Sequence, residues 1–391
     1  MRVFAPDLLA RLRGLPGVAQ LSAEPEVHAV GGAVRDLLLG REPREVDLVV
    51  EGDAVALARR VGGAVTAHER FGTATVRIGG SSVDLASARR ETYSRPGALP
   101  DVDPDATLEE DLRRRDFTVN AIAVRLLDGT MVAVPGAFDD LGAATLRVLH
   151  EGSFMDDPTR LLRLSRYGAR LGFTPDSHTA RLAQEAVAGG VLETVTAQRL
   201  GNEMRLAALE PQPAGLEALE RNGLGRAVLH PGFRVDSKFI TRALALCPDD
   251  ARSDLVALAV SCAHVPGAEL ARRLGQLAFP AREVAVVAAA AAAAQTVDAL
   301  DDMPDSAVAD LFGPRPVEAA VVAAAAGAGS AARWLSDLRH RRLEISGADL
   351  LAEGLTGPAI GRGLAAARAA ALDGRAPDRE SQLAAALAGA A

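Results

Sequence analysis

Lysine is nearly absent from this chain. Of its 43 basic residues only Lys238 carries an ammonium group, and the rest are arginines. Aromatic residues are scarce as well, at 3% of 391 positions. The two cysteines, Cys247 and Cys262, have no Cys-x-x-Cys spacing, which excludes a disulfide framework and a thiolate zinc site and fits a reducing cytoplasm. No apolar run is long enough to cross a bilayer. Val284 to Ala294, the most apolar stretch, falls well short of the ~20 residues a spanning helix needs and reads as an alanine-rich packed helix. The opening MRVFAPDLLARLRG mixes charge into a short apolar run, unlike a signal peptide. A net charge of −8 excludes a surface coated for nucleic-acid binding and leaves room for a local basic groove. Since arginine replaces lysine throughout, arginine clusters weigh less than usual as signs of guanidinium chemistry. Arg333 and the run Arg339-His340-Arg341-Arg342 are therefore read as solvated helix faces and assigned no site.

What the chain does have is ample core material. Hydrophobic residues make up 49% and charged residues 24%, the balance of a globular protein of two or three domains. From Val27 to about Val134, β-branched runs (VHAVGG, VDLVVEG, ATVRI, VDLAS, TVNAIAV) alternate with helical patterning such as Asp53 to Val61, which predicts an α/β head. After His150 the strand signals largely stop, and 3.6-residue periodicity broken by Gly and Pro predicts short packed helices. Breaks near Glu151, Pro211 to Pro213 and Pro231 suggest a head over 1–150, a helical segment over 151–230 and a helical remainder over 231–391.

Four constellations carry chemistry. Gly31-Gly32-Ala33-Val34-Arg35-Asp36 follows an apolar strand and leads into a helix, so backbone N–H groups would approach an anion closely, with Arg35 adding charge; such turns are also common for purely structural reasons. Glu45-Val46-Asp47 stands at the start of the next strand. Two carboxylates two residues apart on a strand share a face and suit a hard divalent cation, with Asp84 on a neighbouring strand a candidate third. Alone, such a pair is more often a solvated strand end. Arg113-Arg114-Arg115 precedes Asp116-Phe117-Thr118-Val119-Asn120-Ala121, and three arginines before an apolar strand call for an anion or facing carboxylates. Finally, in Asp156-Asp157-Pro158-Thr159-Arg160, Pro158 fits a first helical turn capped by aspartate, placing Asp157 and Arg160 on one face with Arg163 and Arg166 continuing the row. A carboxylate acceptor beside a guanidinium donor matches the pairing edges of cytosine and adenine and leaves groups unpaired against uracil and guanine; an ordinary helical Asp/Arg pair has the same spacing.

Taken together and in this order, GGAVRD, EVDLVVEG, FGTATV, EEDLRRRDFTVNA and DDPTRLLRLSRYGARLGF resemble the class II tRNA nucleotidyltransferase and bacterial poly(A) polymerase family. The similarity is dense from His28 to Arg205, and ISGADLLAEGLTGPAIGRGLAAA, from Ile345, resembles the family's C-terminal region. The resemblance implies an α+β chain: a polymerase-beta-like head with a mixed sheet, followed by all-α neck, body and tail regions that grip tRNA. It implies template-independent transfer of CMP and/or AMP from CTP or ATP to the tRNA 3′ end. Gly31, Gly32 and Arg35 would bind the triphosphate, Glu45 and Asp47 would be the catalytic carboxylates holding Mg²⁺, and Arg115 would contact the nucleotide. Asp157 and Arg160 would select the base, with Arg163 and Arg166 supporting. The implied partners are tRNA and nucleoside triphosphates; nothing indicates a membrane or a protein partner.

Two departures stand out. The family's metal pair is ordinarily Asp-x-Asp, whereas Glu45 is one methylene longer, and Val134 stands where an aspartate tends to precede Pro135. The segment Glu91 to Thr107 corresponds to the family's flexible loop; its presence argues against a CC-only enzyme, and its wording resembles enzymes that add only the terminal A. Poly(A) polymerase and an RNA-binding remnant with an impaired metal site are the other readings. No phosphohydrolase-type His/Asp cluster is found in the sequence.

Overall fold

The computed structural model describes residues 6–78, 80–211 and 213–390, so the first five residues of the opening segment discussed above lie outside it. The chain divides into two compact units, one up to Thr196 and one from Ala197. These units do not follow the expected divisions near 150 and 230.

The first unit is built on nine strands: β1 (Val27–Val30), β2 (Asp47–Val50), β3 (Ala64–His68), β4 (Thr73–Ile78), β5 (Ser81–Ser87), β6 (Arg90–Thr92), β7 (Asp101–Asp103), β8 (Ile122–Arg125) and β9 (Met131–Ala133), with a two-residue pair at Thr145–Leu146 and Thr174–Pro175. Seven of them form one sheet in the order β3-β4-β5-β2-β1-β8-β9. It is mixed as expected, since β2 and β5 run parallel while the other pairs run antiparallel. The central strand β1 is buried at every residue, which is why VHAV reads as an unbroken run rather than an alternating one. Its Val27, Ala29 and Val30 share a core with Leu48, Val49, Ile122 and Val124.

The helices that position the site are α1 (Pro6–Arg13), α2 (Gly32–Leu38), α3 (Ala54–Val61), α4 (Leu108–Arg113), α5 (Ala137–Gly142), α6 (Ser153–Asp156), α7 (Thr159–Leu171) and α8 (Ser177–Ala188). Local chemistry fixes their starts. Asp53 accepts from Val55 N and Ala56 N at the head of α3, and Thr107 with Glu110 forms a capping box on α4. α7 ends at Gly172, whose φ of 74° suits a residue without a side chain.

Three local expectations change. The strand read in TVNAIAV begins only at Ile122, because Thr118–Asn120 winds into a 3-10 turn. β3 carries no strong apolar run and was not expected; it is a half-exposed edge strand. The segment expected as a flexible loop contains the antiparallel ribbon β6–β7, in register Arg90 with Asp103 and Thr92 with Asp101.

The second unit is helical from Ala197–Ala208 to Arg379–Ala390. The alanine-rich run lies in the helix Ala281–Ala293, with Val286, Val287, Ala290 and Ala291 buried. One core gathers Phe312, Trp334 and Leu338, and a smaller one gathers Ile345, Leu350, Ala367 and Ala386. The last two helices, Pro358–Leu372 and Arg379–Ala390, pack so closely that a Cβ on Gly389 would fall 2.2 Å from Ala366 Cβ. Lys238 is exposed on the helix Ser237–Ala245. Among the described residues no helix is long and apolar enough to cross a membrane.

Candidate active site

The register of the sheet brings the Gly31 turn beside Asp47. Val30, the last residue of β1, pairs with Asp47, and Asp47 in turn pairs with Asp84 on β5. Immediately after Val30, Gly31 adopts φ 69° and turns the chain into α2. A Cβ at Gly31 would lie 2.9 Å from Arg115 Nη1, so only glycine lets that guanidinium close on the turn. Asp47 and Asp84 line a cleft of about 370 Å³ with Thr73, Arg89, Arg114 and Arg115.

Glu45 lies just before the strand rather than on it, because β1 ends at Val30 and offers no partner beyond Asp47. The same-face argument from strand spacing therefore does not apply to it. Its charge nevertheless reaches Asp47. Although Asp47 as a residue is exposed, its carboxyl is raised above the usual range, first by desolvation in the cleft, then by Glu45, with Asp84 adding to the effect while Arg115 and Arg163 oppose it. Such crowding of hard oxygen donors is what a divalent cation relieves, and Glu45 and Asp47 fit a magnesium ion that also uses water and phosphate oxygens. Asp84 is engaged otherwise, its Oδ1 accepting from Thr75 Oγ1 at 2.6 Å. Among the described residues no group of three or more acidic, histidine or cysteine side chains forms a metal cage.

The arginine run is organised by a residue the sequence reading did not single out. Asp111, fully buried on α4, accepts from Arg114 Nε and Nη2 (2.9 and 2.7 Å) and from Arg115 Nη2 (2.9 Å). Burial works to raise this carboxyl, but the two guanidiniums outweigh it and hold it below the usual range. Spacings of three and four residues on a helix were the available signal. Arg114 also donates to Glu91 (2.8 Å), which accepts from Tyr93 Oη as well (2.8 Å), tying the ribbon to the arginines.

On α7 the arginines separate into two kinds. Arg163 pairs with buried Asp116 (3.0 Å), and Asp116 accepts from Asn120 Nδ2 (2.9 Å). Asn120 Oδ1 accepts from Arg35, which Asp36 also grips; Asp36 is shared in turn with Arg170. Arg35 is thus buried, its guanidinium held by Asp36 and Asn120 with Nη2 3.6 Å from where a Cβ on Gly32 would stand. Asp157 and Arg160 stand together at the head of α7, where the Asp157 carbonyl accepts from Arg160 N at 3.0 Å. Asp157 is extended (φ −129°, ψ 92°) and accepts from Thr159 N and Oγ1, whereas buried Arg160 donates to Ser153 Oγ (2.7 Å) and to the Arg114 carbonyl (2.6 Å). Pro158 holds Asp157 in the extended region at the head of α7, where its side chain caps the first turn. Arg163 and Arg166 both lie over the Tyr167 ring.

The profile of the poly A polymerase head domain matches residues 27–147, which contain the sheet and the cleft. The Multifunctional CCA protein of Stenotrophomonas maltophilia is 30% identical over 406 residues, covering 89% of this chain and 99% of that protein. The chain belongs to the tRNA nucleotidyltransferase family. The A-adding tRNA nucleotidyltransferase of Geobacter sulfurreducens is 44% identical over 232 residues, 57% of this chain, but the match spans only 26% of that longer protein. A CCA-adding enzyme solved in an apo form superposes with a TM-score of 0.80 at 27% identity, covering 99% of both chains. The Thermotoga maritima CCA-adding enzyme complexed with tRNA gives 0.77 at 25% identity, again over 99% of both. The family's α+β fold, a mixed-sheet head followed by helices, is the fold of this chain.

Proposed function

We propose that this protein transfers CMP and/or AMP from CTP or ATP to the 3′ end of tRNA without a nucleic-acid template. The observation that carries the reading is the pairing of Asp47 with Asp84, within reach of Glu45's charge, at a cleft that Arg115 lines beside the Gly31 turn. A 3′-hydroxyl attacks the α-phosphorus and pyrophosphate leaves, a reaction governed by positioning and charge neutralisation. Magnesium held by Glu45 and Asp47 would supply the Lewis acidity that activates the hydroxyl and neutralises the leaving group. Arg115, steered by Asp111, meets the phosphates beside Gly31 and Gly32. Arg163 and Arg166 support the nucleotide from α7, and Asp157 with Arg160 reads the base, for which both must leave the contacts described above. Arg35, beside Gly32 and held by Asp36 and Asn120, supports the triphosphate at the glycine turn. The helical segment 151–230 acts as a neck, 231–391 grips tRNA, and the setting is the cytoplasm.

The decisive experiment offers CTP and ATP separately to tRNA ending at the discriminator base, at C or at CC. Growth of the CC end with A alone would identify an A-adding enzyme, the reading favoured by the 44% identity to relatives of that name. Long A runs on any RNA would identify a poly(A) polymerase instead. Glu45→Ala should abolish transfer and Glu45→Asp should raise it modestly; an inert wild type rescued by Glu45→Asp would make this chain an RNA-binding remnant. Asp157→Ala should relax discrimination against UTP and GTP, and an unchanged preference would remove its role.

A further inference from the structure

Tyr167 sits on α7 at the centre of the arginine cluster, 8% exposed, with its ring edge-on to Phe117 at 6.0 Å. Three guanidiniums lie over that one ring: Arg166 at 4.8 Å, Arg35 at 5.2 Å and Arg163 at 5.9 Å from its centroid. The phenol oxygen also accepts from Arg163 Nη2 at 3.2 Å. In a chain with only two tyrosines, this gathering concentrates much of the local charge on one aromatic side chain.

An aromatic face attracts a cation through its quadrupole and carries no net charge of its own. It therefore fixes a guanidinium without neutralising it. A carboxylate in the same place would hold the arginines more strongly but would compete with an incoming anion for their charge. Arg163 illustrates the arrangement. Asp116 takes its Nε side, Tyr167 orients Nη2, and its charge still acts on Asp47 in the cleft.

We propose that Tyr167 is a positioning residue for the nucleotide: its ring and hydroxyl set Arg163 and Arg166 toward the polyphosphate of a nucleoside triphosphate. This rests on the nucleotidyltransferase reading and extends it to a residue that touches neither substrate nor reacting atoms. The ring accounts for the larger share, because it engages Arg35 and Arg166 as well as Arg163, whereas the hydroxyl accepts from Arg163.

The test measures binding of ATP and of inorganic tripolyphosphate to the full chain by calorimetry, without tRNA. Tyr167→Phe keeps the ring and its contact with Phe117, and should weaken both ligands by about threefold, the lower end of what one net hydrogen bond contributes. Tyr167→Leu removes ring and hydroxyl and should weaken both by at least about tenfold. In steady-state assays the loss should fall on KM for the triphosphate more than on kcat, with Phe recovering most of what Leu loses. Folding is checked by thermal melting; where the Leu variant fails to fold, the Phe variant decides alone. Unchanged tripolyphosphate affinity in Tyr167→Phe, or a wild type that binds no tripolyphosphate, overturns the proposal. A wild type that extends no tRNA, yet shows the graded binding loss, overturns the transfer reading and leaves Tyr167's role standing.

Discussion

Asp47 and Asp111 are carboxylates about the same cleft, and their surroundings move them in opposite directions. Asp47 is raised by desolvation and by Glu45, so its contribution to stability is fully present below its unfolded value of 3.8 and is lost as pH rises through the higher folded value. Asp111 is lowered by Arg115 and Arg114 against burial, so its contribution is present above 3.8 and is lost only as pH falls through the lower folded value. At neutral pH without divalent metal, Asp47→Asn should therefore raise the melting temperature by a few degrees while abolishing transfer. Asp111→Asn should lower it at pH 7 and lose that effect in strong acid. Melting curves in chelator at pH 7 and pH 3 check both signs. Magnesium should stabilise the wild type and not Asp47→Asn. Sequence alone indicated the Glu45–Asp47 pair, but not its geometry. Where Glu45 leaves the sheet is decided by where β1 stops, a long-range fact that spacing along one strand does not contain.

At the scale of elements, the ribbon β6–β7 is fastened through Glu91 and again at the loop between its strands. Gly97 takes φ 69°, its N–H donates to the Met155 carbonyl (3.2 Å), and a Cβ there would fall 2.3 Å from Thr194 Oγ1 and 2.8 Å from the Thr194 carbonyl. Gly97→Val should unseat the ribbon locally, at a cost of about 1–3 kcal/mol, and leave the sheet intact. Faster chymotryptic cleavage after half-buried Tyr93, with an unshifted main melting transition, is the expected result. A cleavage rate equal to wild type would mean the ribbon is held elsewhere. Proline, glycine and aspartate made this segment read as a loop, and its three-residue strands are too short for periodicity to register. Strongly patterned elements were legible: the apolar run of β1 and the helix expected over Asp53 to Val61 stand where the pattern put them. The Arg160 contacts were not legible, because Ser153 and the Arg114 carbonyl approach from other segments.

At the scale of the molecule, every candidate site residue falls in the unit that ends at Thr196. A fragment ending there should bind ATP with an affinity near that of the whole chain and lose most of its affinity for tRNA, as filter binding would show. Retained tRNA affinity would shift the RNA-gripping role away from the second unit. The α-to-sheet division was readable from the change of apolar period near His150, whereas the partition at Thr196 was not, since it falls between helices of the same character. Arginine in place of lysine has a practical consequence at this scale. Lys238, exposed on its helix, is the only side-chain amine in the chain. Amine-reactive dyes and crosslinkers therefore find a single internal address, and a fluorophore coupled there would report on the second unit.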